Sequence, residues 1–343
     1  MSQPSAALRL VPSPTLDALP PPPAGRTGWP WTEQSQRLPE AAPDGRPWPR
    51  LSIVTPSYNQ AGFLEATIRS VLLQGYPALE YVIVDGASTD ESRSIIERYA
   101  GWLSYWVSEP DRGQSHAINK GLARCGGEVF NWLNSDDQLM PGALAEVATL
   151  RVATQAAMLV GRGVIVDAQS GRIRHDWAGR PPRHPLDFTR SNRVVVAQPS
   201  AFLDARLVRQ VGGLREDLQC VLDWELYLRL TVLLRERLTT ATTPALLSYA
   251  LYHPHSKTSS HQADFQSEGL RVLRALGPQL PALERLRLAA YVRGVVTQRM
   301  VADVWTANHR WQYLGSLLVQ RPDALWSRPY WGALRRLLVR AAQ

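Results

Sequence analysis

Two adjacent carboxylates, Asp136 and Asp137, close an apolar run near the middle of the 343-residue chain. Burying two negative charges side by side costs free energy unless a cation neutralises them. Neighbouring side chains in extended backbone point to opposite sides. One carboxylate could therefore coordinate a hard divalent cation while the other orients a ribose or a metal-bound water. The alternative is a solvated turn in which an aspartate caps the next helix.

Three earlier positions could bind a nucleotide nearby. Asp85 ends another apolar run, where a carboxylate either accepts hydrogen bonds from a ribose or base edge or forms the following turn. Tyr58 lies in the loop after the first apolar run and could stack on a nucleobase. The segment 111–115 opens a helix that bears Lys120. Its backbone N–H groups and basic side chains favour an anion, and ordinary surface charges are the alternative.

Asp223 and His253 are candidate groups for proton transfer and phosphate binding later in the chain. Asp223 could take a proton from an acceptor hydroxyl. The start of a helix would lower its pKa, whereas burial beside Trp224 would raise it, and a helix cap is the alternative role. The imidazole of His253 could complete a metal site or bind a diphosphate. Lys257 suits phosphate oxygens, although both residues could equally lie in a surface loop.

Apolar runs that alternate with helical patterns must position these loops. Four runs are each followed by a polar turn and an amphipathic helix, at Leu51–Thr55, Tyr81–Val84, Leu103–Val107 and Val129–Leu133. This alternation predicts a mostly parallel sheet covered by helices on both faces. Ligands of such sheets bind outside the carboxyl ends of the strands, which is where the polar turns lie.

The chain divides into three regions by composition. Residues 1–50 hold about half of the prolines and show neither a helical nor a strand period. We predict an extended, largely polyproline segment, in which Gly28–Trp48 lies along the folded domain because exposing its tryptophans, Trp29, Trp31 and Trp48, would be costly. Residues 51–262 are predicted to form the main α/β domain, and residues 263–343 a helical C-terminal region.

The overall composition restricts the class of protein. Hydrophobic residues make up 45% and charged residues 20%, which is typical of a folded globular chain. Two cysteines are too few for a disulfide framework and suit a reducing compartment. Neither a signal-peptide pattern nor a long apolar run is present, so we expect a cytoplasmic protein. The net charge of +8 favours a polyanionic partner, or else reflects an arginine-rich composition.

In their order and spacing these motifs resemble the family 2 glycosyltransferases, which have the GT-A fold. The resemblance covers about residues 50–260 and is carried by 51–92, by WVSEPDRGQSHAINKGLA and by GEVFNWLNSDD. It implies an inverting, hexosyltransferase-type enzyme that depends on Mn²⁺ or Mg²⁺. The donor would be a nucleotide-diphosphate sugar, and the acceptor a hydroxyl of a glycan or lipid-linked glycan in bacterial surface polysaccharide synthesis.

The resemblance also implies roles for single residues. Asp137 and His253 would hold the metal ion, and Asp223 would be the catalytic base, with Leu222 where the family pattern has glutamate. The nucleotide would be bound by Thr55, Pro56, Tyr58, Asp85, Gly113, Asn119, Lys120 and Asp136. The donor and acceptor pocket would include Asn134, Gln198, Trp224 and Lys257.

The C-terminal region interleaves arginine with apolar residues, as at Arg285–Leu288 and around Arg335. Such faces are typical of helices that lie on anionic lipid, and this predicts a peripheral position at the inner membrane. Packing on the catalytic domain or a dimer contact is the alternative. We expect no nucleic-acid partner, because no helix-turn-helix, zinc or RNP signature occurs.

Two rival functions remain open at the level of sequence. A nucleotidyltransferase would have a similar sheet, but it would need a Gly-rich loop with arginine after the first strand, where this chain has TPSYNQ. A catalytically inactive or nucleic-acid-binding protein on the same fold is the other. The absence of GxGxxG and GxxxxGK[ST] motifs argues against dinucleotide-binding and P-loop enzymes.

Overall fold

The computed structural model divides the chain into two compact units, Met1–Glu268 and Gly269–Gln343. The two units are described separately. The structure describes residues 8–189, 194–253, 262–303 and 328–341, with the single positions 312, 314 and 316.

The first unit is built on a sheet that has nine strands within the described residues. The strands are β1 Leu51–Ser57, β2 Leu79–Asp85, β3 Tyr105–Ser108, β4 Val129–Trp132, β5 Asp137–Leu139, β6 Met158–Asp167, β7 Ile173–Trp177, β8 Ala201–Asp204 and β9 Thr240–Tyr252. Their order is β3-β2-β1-β4-β8-β6-β9-β5, and β7 pairs with β6.

The helices cover this sheet or belong to the C-terminal part of the chain. They are α1 Ala61–Leu72, α2 Ser92–Tyr99, α3 Gln114–Arg124, α4 Ala143–Thr154, α5 Ala205–Gln210, α6 Leu222–Leu234, α7 Gln262–Leu276, α8 Ala282–Asp303 and α9 Arg328–Ala341. Short 3-10 helices lie at Leu16–Ala18, Ala100–Trp102, Pro185–Thr189, Gln198–Ser200, Arg235–Arg237 and Gly277–Gln279.

The first four strands run parallel, and their shared direction creates the edge at which the site lies. β1 pairs in register with β2, with Ser57 opposite Asp85, and β4 lies on the other side of β1. Every residue of β1, β2 and β4 is buried, as expected for continuous apolar strands with helices on both faces. The predicted α/β sheet with parallel strands between helices is therefore confirmed, and β8 and β5 are antiparallel to their neighbours in the same sheet.

Helix α3 lies unusually close to β1. Gly121 makes this approach possible, because a Cβ atom there would lie 2.5 Å from a methyl group of Val54. On the other face, the core includes Leu64 and Ile68 of α1 together with Ile53 of β1. The sheet is thus fixed between tightly packed helices, which hold the loops at its carboxyl edge in place.

The segment before β1 is held along the first unit by a buried arginine. Arg69 of α1 is fully buried and donates hydrogen bonds to the carbonyl groups of Pro20, Pro30 and Trp31, at 2.8–3.0 Å. Its guanidinium also lies over the Trp31 ring, 5.5 Å from the centroid. We call residues 8–50 the N-terminal strap, since they close over α1.

Two further contacts bring the strap against the sheet and the end of α1. The indole of Trp29 donates to the carbonyl of Leu139 in β5 at 2.8 Å. Gly75 has φ +66°, and a Cβ atom there would lie 2.7 Å from the carbonyl oxygen of Gln36. The tryptophans of the strap are therefore used in packing and hydrogen bonding.

The second unit contains the end of α7 and helices α8 and α9, and α8 packs against α9. Among the described residues, no helix has both the length and the apolar character needed to cross a membrane.

Candidate active site

A cleft of about 890 Å³ opens at the carboxyl edge of the parallel strands. It is lined by residues from the loops after β1, β2, β3 and β4, and also from β6, β7, β9 and the start of α6. Among the residues singled out from the sequence, the lining contains Pro56, Tyr58, Gly113, Asn134, Asp136, Asp137, Gln198 and Asp223.

Asp85 is fully buried behind this lining and holds the loop after β2. Its carboxylate accepts hydrogen bonds from the Ser88 amide at 2.9 Å, from the Ser88 hydroxyl at 2.5 Å and from the Ser108 hydroxyl at 2.7 Å. A carboxylate offers about four acceptor positions, so roughly one remains for a ligand. Of the two roles that the sequence left open for Asp85, these contacts show the turn former.

Tyr58 stands at the mouth of the cleft with 61% of its surface exposed. Gly86 leaves room for both Tyr58 and Asp111, because a Cβ atom at position 86 would lie 2.8 Å from the Asp111 carboxylate and 3.3 Å from the Tyr58 ring. Asp111 in turn accepts the amide of Gly113 at 2.7 Å, which fixes the start of α3. The exposed aromatic face of Tyr58 can stack on a base. Asp111 also lines the cleft, although the sequence did not single out its side chain.

Asn134 connects Asp137 to two other loops. Its amide nitrogen donates to Asp137 Oδ2 at 3.0 Å, and its oxygen accepts the Gln114 amide at 2.6 Å. Gln198 lies 3.5 Å from the same Asn134 nitrogen and donates to the carbonyl of Trp132 at 2.6 Å. The side chain of Asp137 is therefore oriented by a hydrogen-bonded chain that begins in α3, and Gln114 is a second residue that the sequence reading missed.

Asp136, which lines the cleft, pairs with His253, which is buried outside the lining. The His253 Nε2 atom lies 3.1 Å from Asp136 Oδ2, and the imidazole ring stacks on Phe63 with 4.5 Å between centroids. His253 is buried at the end of β9, whose neighbour β5 begins at Asp137. The antiparallel pairing of these two strands thus brings together residues more than a hundred positions apart.

The acidic pair has the donor set expected of a divalent metal site. Burial raises the pKa of Asp137 well above its usual value, the nearby charge of Asp136 raises it further, and the Asn134 hydrogen bond lowers it. Within the described residues, no three His, Cys, Asp or Glu side chains converge as a complete cage. Mg²⁺ is usually held by one or two carboxylates together with substrate phosphates and water, so a partial protein cage fits such an ion.

Asp223 also lines the cleft, as the second residue of α6. It is half-buried, and burial raises its pKa above the usual range, while the backbone N–H groups of Trp224 and Asp223 lower it. Burial therefore outweighs the helix start, a balance that the sequence could not decide. A carboxylate with a raised pKa is a better proton acceptor near neutral pH.

The residues around Asp223 hold α6 rigidly. Glu225 is fully buried and makes a two-pronged ion pair with Arg229, at 2.8 Å for both contacts. The carboxylate of Glu268, in α7, accepts the backbone N–H groups of Gln219, Cys220 and Val221, just before α6 begins. Glu268 was not expected from the sequence, because its partners lie about fifty positions earlier and leave no local pattern.

Some residues of the predicted site lie outside the lining of the cleft. Thr55 is buried and hydrogen-bonds to the Tyr81 hydroxyl, and Trp224 packs edge-on against Phe188. Asn119 pairs with both backbone groups of Leu214 at 2.8 and 2.9 Å.

The two basic residues near the third loop have acidic partners. Lys120 pairs with Glu109 at 2.8 Å, and Arg112 pairs with Glu216 at 2.5 Å. Nucleotide contacts by Asn119, Lys120 or Arg112 would require these partners to be exchanged. Lys257 lies outside the described residues.

The chain matches known glycosyltransferases in sequence. Residues 52–211 match the model of Glycosyl transferase family 2. An uncharacterized glycosyltransferase of Mycobacterium tuberculosis is 31% identical over 184 residues, which is 53% of this chain and 68% of that protein. The putative teichuronic acid biosynthesis glycosyltransferase TuaG of Bacillus subtilis is 39% identical over 93 residues, covering 26% of this chain and 37% of TuaG.

A third relative is similar in sequence, and one solved structure is similar in fold. The O-antigen biosynthesis protein RfbC of Myxococcus xanthus is 32% identical over 193 residues, covering 53% of this chain and 14% of RfbC. The structure of S. aureus TarS residues 1–349 with UDP-GlcNAc has a TM-score of 0.57 at 18% identity, covering 78% of this chain and 80% of that one. This structural likeness shows the shared fold. This chain matches the family model, covers more than two thirds of the Mycobacterium tuberculosis relative and has a cleft at the sheet edge. It therefore belongs to glycosyl transferase family 2 and is a glycosyltransferase.

Proposed function

We propose that this glycosyltransferase moves a sugar from a nucleotide-diphosphate donor to an acceptor hydroxyl in one inverting displacement. The observation that carries the proposal is the arrangement of acids around one cleft of about 890 Å³. Asp136 and Asp137 line the cleft just after β4, and half-buried Asp223 lines it from the start of α6. A donor diphosphate and an acceptor hydroxyl can then be held between different carboxylates.

The donor would be bound by the loops after β1, β2 and β4. Tyr58 would stack on the base, Asp85 would use its remaining acceptor position for the nucleoside, and Asp136 would bind the ribose. The solved TarS complex contains UDP-GlcNAc, which makes a UDP-sugar the first donor to test.

A divalent ion, Mn²⁺ or Mg²⁺, would be held by Asp137 with His253 beside it, and it would neutralise the leaving diphosphate. The hydrogen bond from Asn134 to Asp137 Oδ2 would hold this carboxylate in position for the ion. His253, close to Asp136 Oδ2, would steady that carboxylate for the ribose.

Asp223 would act as the base of the transfer step. The acceptor oxygen attacks the anomeric carbon and forms the new glycosidic bond, while the bond from that carbon to the diphosphate oxygen breaks. The hydroxyl proton passes to the Asp223 carboxylate, and the nucleoside diphosphate leaves with the bonding electrons. A single displacement of this kind inverts the anomeric configuration and needs no covalent enzyme intermediate.

We further propose that the acceptor is a glycan or lipid-linked glycan of the cell surface and that the enzyme works in the cytoplasm at the inner membrane. TuaG and RfbC, named for teichuronic acid and O-antigen biosynthesis, support this acceptor class. The exposed faces of α8 and α9 support membrane contact, because they carry apolar residues beside arginines. Co-sedimentation with vesicles should be strong for anionic lipid and weak for zwitterionic lipid.

The first test is ligand-induced thermal stabilisation by UDP, GDP, dTDP and CDP, each with and without Mn²⁺. One nucleotide should raise the unfolding midpoint only with Mn²⁺, by an amount equivalent to roughly 2.7 kcal/mol at 100 times its dissociation constant. The shift should disappear in Asp137→Asn and persist in Asp44→Asn, which changes an exposed aspartate paired with Arg46. Stabilisation that ignores Mn²⁺ or survives Asp137→Asn would contradict the proposed donor site.

A further inference from the structure

The positive charge of the chain is concentrated in the second unit. Residues 269–343 contain twelve arginines, no lysine and three acids, whereas the rest of the chain carries a net charge of −1. The whole excess of +8 therefore belongs to a stretch that lies outside the cleft described above. Clustered positive charge of this kind attracts anions before any specific contact forms.

The second unit also contains a cavity of its own, of about 350 Å³. It lies between the end of α7 and the first half of α8, and its volume falls within the range of small-molecule sites. Apolar residues form most of its wall, including Leu273, Leu288, Ala289 and Val292. The charged residues that line it are all arginines, namely Arg274, Arg285 and Arg293.

The apolar and the charged residues of the cavity differ in how far they are exposed to solvent. Leu273 and Leu288 are almost wholly removed from solvent, whereas Arg274 and Arg285 are exposed. Arginine commonly lays its aliphatic stem along an apolar surface and keeps its guanidinium in water. The wall of the cavity is therefore apolar, and cationic groups stand where it meets solvent.

This combination selects for an amphiphile. A hydrocarbon chain can fill an apolar cavity that offers little to a sugar or a nucleotide, because their polar groups would be buried without partners. An anionic head at the mouth would meet guanidinium groups, which bind phosphate through charge-assisted hydrogen bonds. Two leucines in the first turns of α8, Leu283 and Leu286, are 62% and 64% exposed, which favours a membrane as the source of the ligand.

We propose that the cavity between α7 and α8 binds one hydrocarbon chain of an anionic membrane phospholipid, with Arg274 and Arg285 holding its phosphate. This site is distinct from the transferase cleft and does not depend on the donor or acceptor proposed above. It would add a specific lipid contact to the general attraction of an arginine-rich surface for anionic membranes.

The test is isothermal titration of the full-length protein with decyl phosphate below its micelle concentration. We expect saturable binding of one molecule per chain, at least tenfold tighter than binding of decyl maltoside or inorganic phosphate. Ala289→Phe, which fills the cavity, and the double change Arg274→Gln with Arg285→Gln should each weaken it at least tenfold. Circular dichroism and the unfolding midpoint check that each variant is folded.

The matched control is Arg335→Gln with Arg336→Gln, which removes the same charge from the exposed face of α9. It should weaken vesicle sedimentation and leave decyl phosphate binding unchanged. Equal loss of binding in this control, unchanged binding in folded Ala289→Phe, or equal affinity for decyl maltoside would overturn the proposal. Mn²⁺-dependent nucleotide stabilisation, measured in parallel, reports on the cleft separately, so failure of one site is distinguishable from failure of the other.

Discussion

At the scale of single residues, Asp137 and Asp223 show how burial raises the pKa of a carboxylate in the cleft. Asp137 and Asp223 both have a raised pKa with burial as the main cause, but only Asp137 has a second carboxylate next to it. The sequence identified both acids, since strand ends and helix starts are recognisable. It could not weigh burial against the helix start at Asp223, because that balance depends on side chains from distant segments.

Asp223→Asn should abolish most activity and yet stabilise the protein at neutral pH. Because the folded pKa lies above the unfolded value, ionising Asp223 costs stability as pH rises through that interval, and the amide avoids the cost. The gain in unfolding midpoint should shrink toward pH 3, where the acid is protonated in both states. Turnover should fall by roughly 10²–10⁴-fold, the usual contribution of a general base. A variant that keeps wild-type turnover would exclude Asp223 as the base.

The pH dependence of turnover in the wild-type enzyme should also reflect the raised pKa of Asp223. Turnover is expected to fall on the acid side at a pH above the ordinary range for aspartate, because Asp223 must be ionised to accept the proton. A pH–rate profile at saturating donor and acceptor measures this limb. A flat profile down to pH 4 would contradict the assignment.

Asn134→Ala should weaken metal binding more than it weakens nucleotide binding without metal. The change removes the hydrogen bond that directs Asp137, and loss of such an orienting contact typically costs 10–100-fold in metal affinity. Mn²⁺ titration by electron paramagnetic resonance in the presence of UDP measures it. Gln114→Ala, one step further from the carboxylate, should have a smaller effect, and the reverse order of the two variants would count against the chain of contacts.

At the scale of elements, the alternation of apolar runs and helices predicted β1, β2 and β4 well, because strands buried on both faces leave an unmistakable pattern. The third run was predicted from Leu103, but β3 begins at Tyr105, because Leu103 still caps the preceding 3-10 helix and donates its N–H to the carbonyl of Ala100 at 3.2 Å. The contact of Glu268 in α7 with the residues just before α6 could not be predicted from the sequence. A carboxylate that accepts N–H groups about fifty positions away follows no local period.

Gly121→Ala should destabilise the first unit by about 1–3 kcal/mol, the usual cost of overpacking a core. The added methyl group would collide with Val54 of β1 and force α3 outward. Gly62→Ala is the matched control, because no atom lies within 4 Å of its would-be Cβ and its helix should gain roughly 0.5–1 kcal/mol. Chemical unfolding of both variants tests this, and equal stability of the two would refute the packing argument.

Glu268→Gln should reduce turnover more than it reduces Mn²⁺-dependent nucleotide binding. The change keeps the size of the side chain but removes the negative charge at the start of α6. This should cost about 1 kcal/mol of stability. Asp223 would be positioned less well, while the Asp137 side of the cleft keeps its own supports. Turnover and nucleotide-induced stabilisation should be measured on the same samples, and a parallel loss of both would indicate a general structural defect.

At the scale of the whole molecule, the family resemblance predicted a glycosyltransferase, and the comparisons confirm it. The tryptophans predicted that the strap would lie along the domain. They could not reveal Arg69 as its anchor, because the middle of an amphipathic helix looks the same whether an arginine faces water or carbonyl groups.

Arg69→Leu should destabilise the protein by on the order of 3 kcal/mol, because three carbonyl groups of the strap, at one buried and two partly buried positions, lose their donor. Arg93→Leu, which breaks an exposed pair with Glu97, should change stability by less than about 1 kcal/mol. Thermal unfolding compares the two. Similar midpoints would mean that the strap contributes little to the fold.

The strap has a practical consequence for anyone who expresses this enzyme in pieces. α1 contacts the strap through Arg69, and its Thr67 hydroxyl donates to the carbonyl groups of Ser135 and Asp137. A clone trimmed to the family match, residues 52–211, would strip the cover from α1 beside the acidic loop and would also discard Asp223. A useful shortened clone should therefore keep the strap at one end and continue past Glu268 at the other.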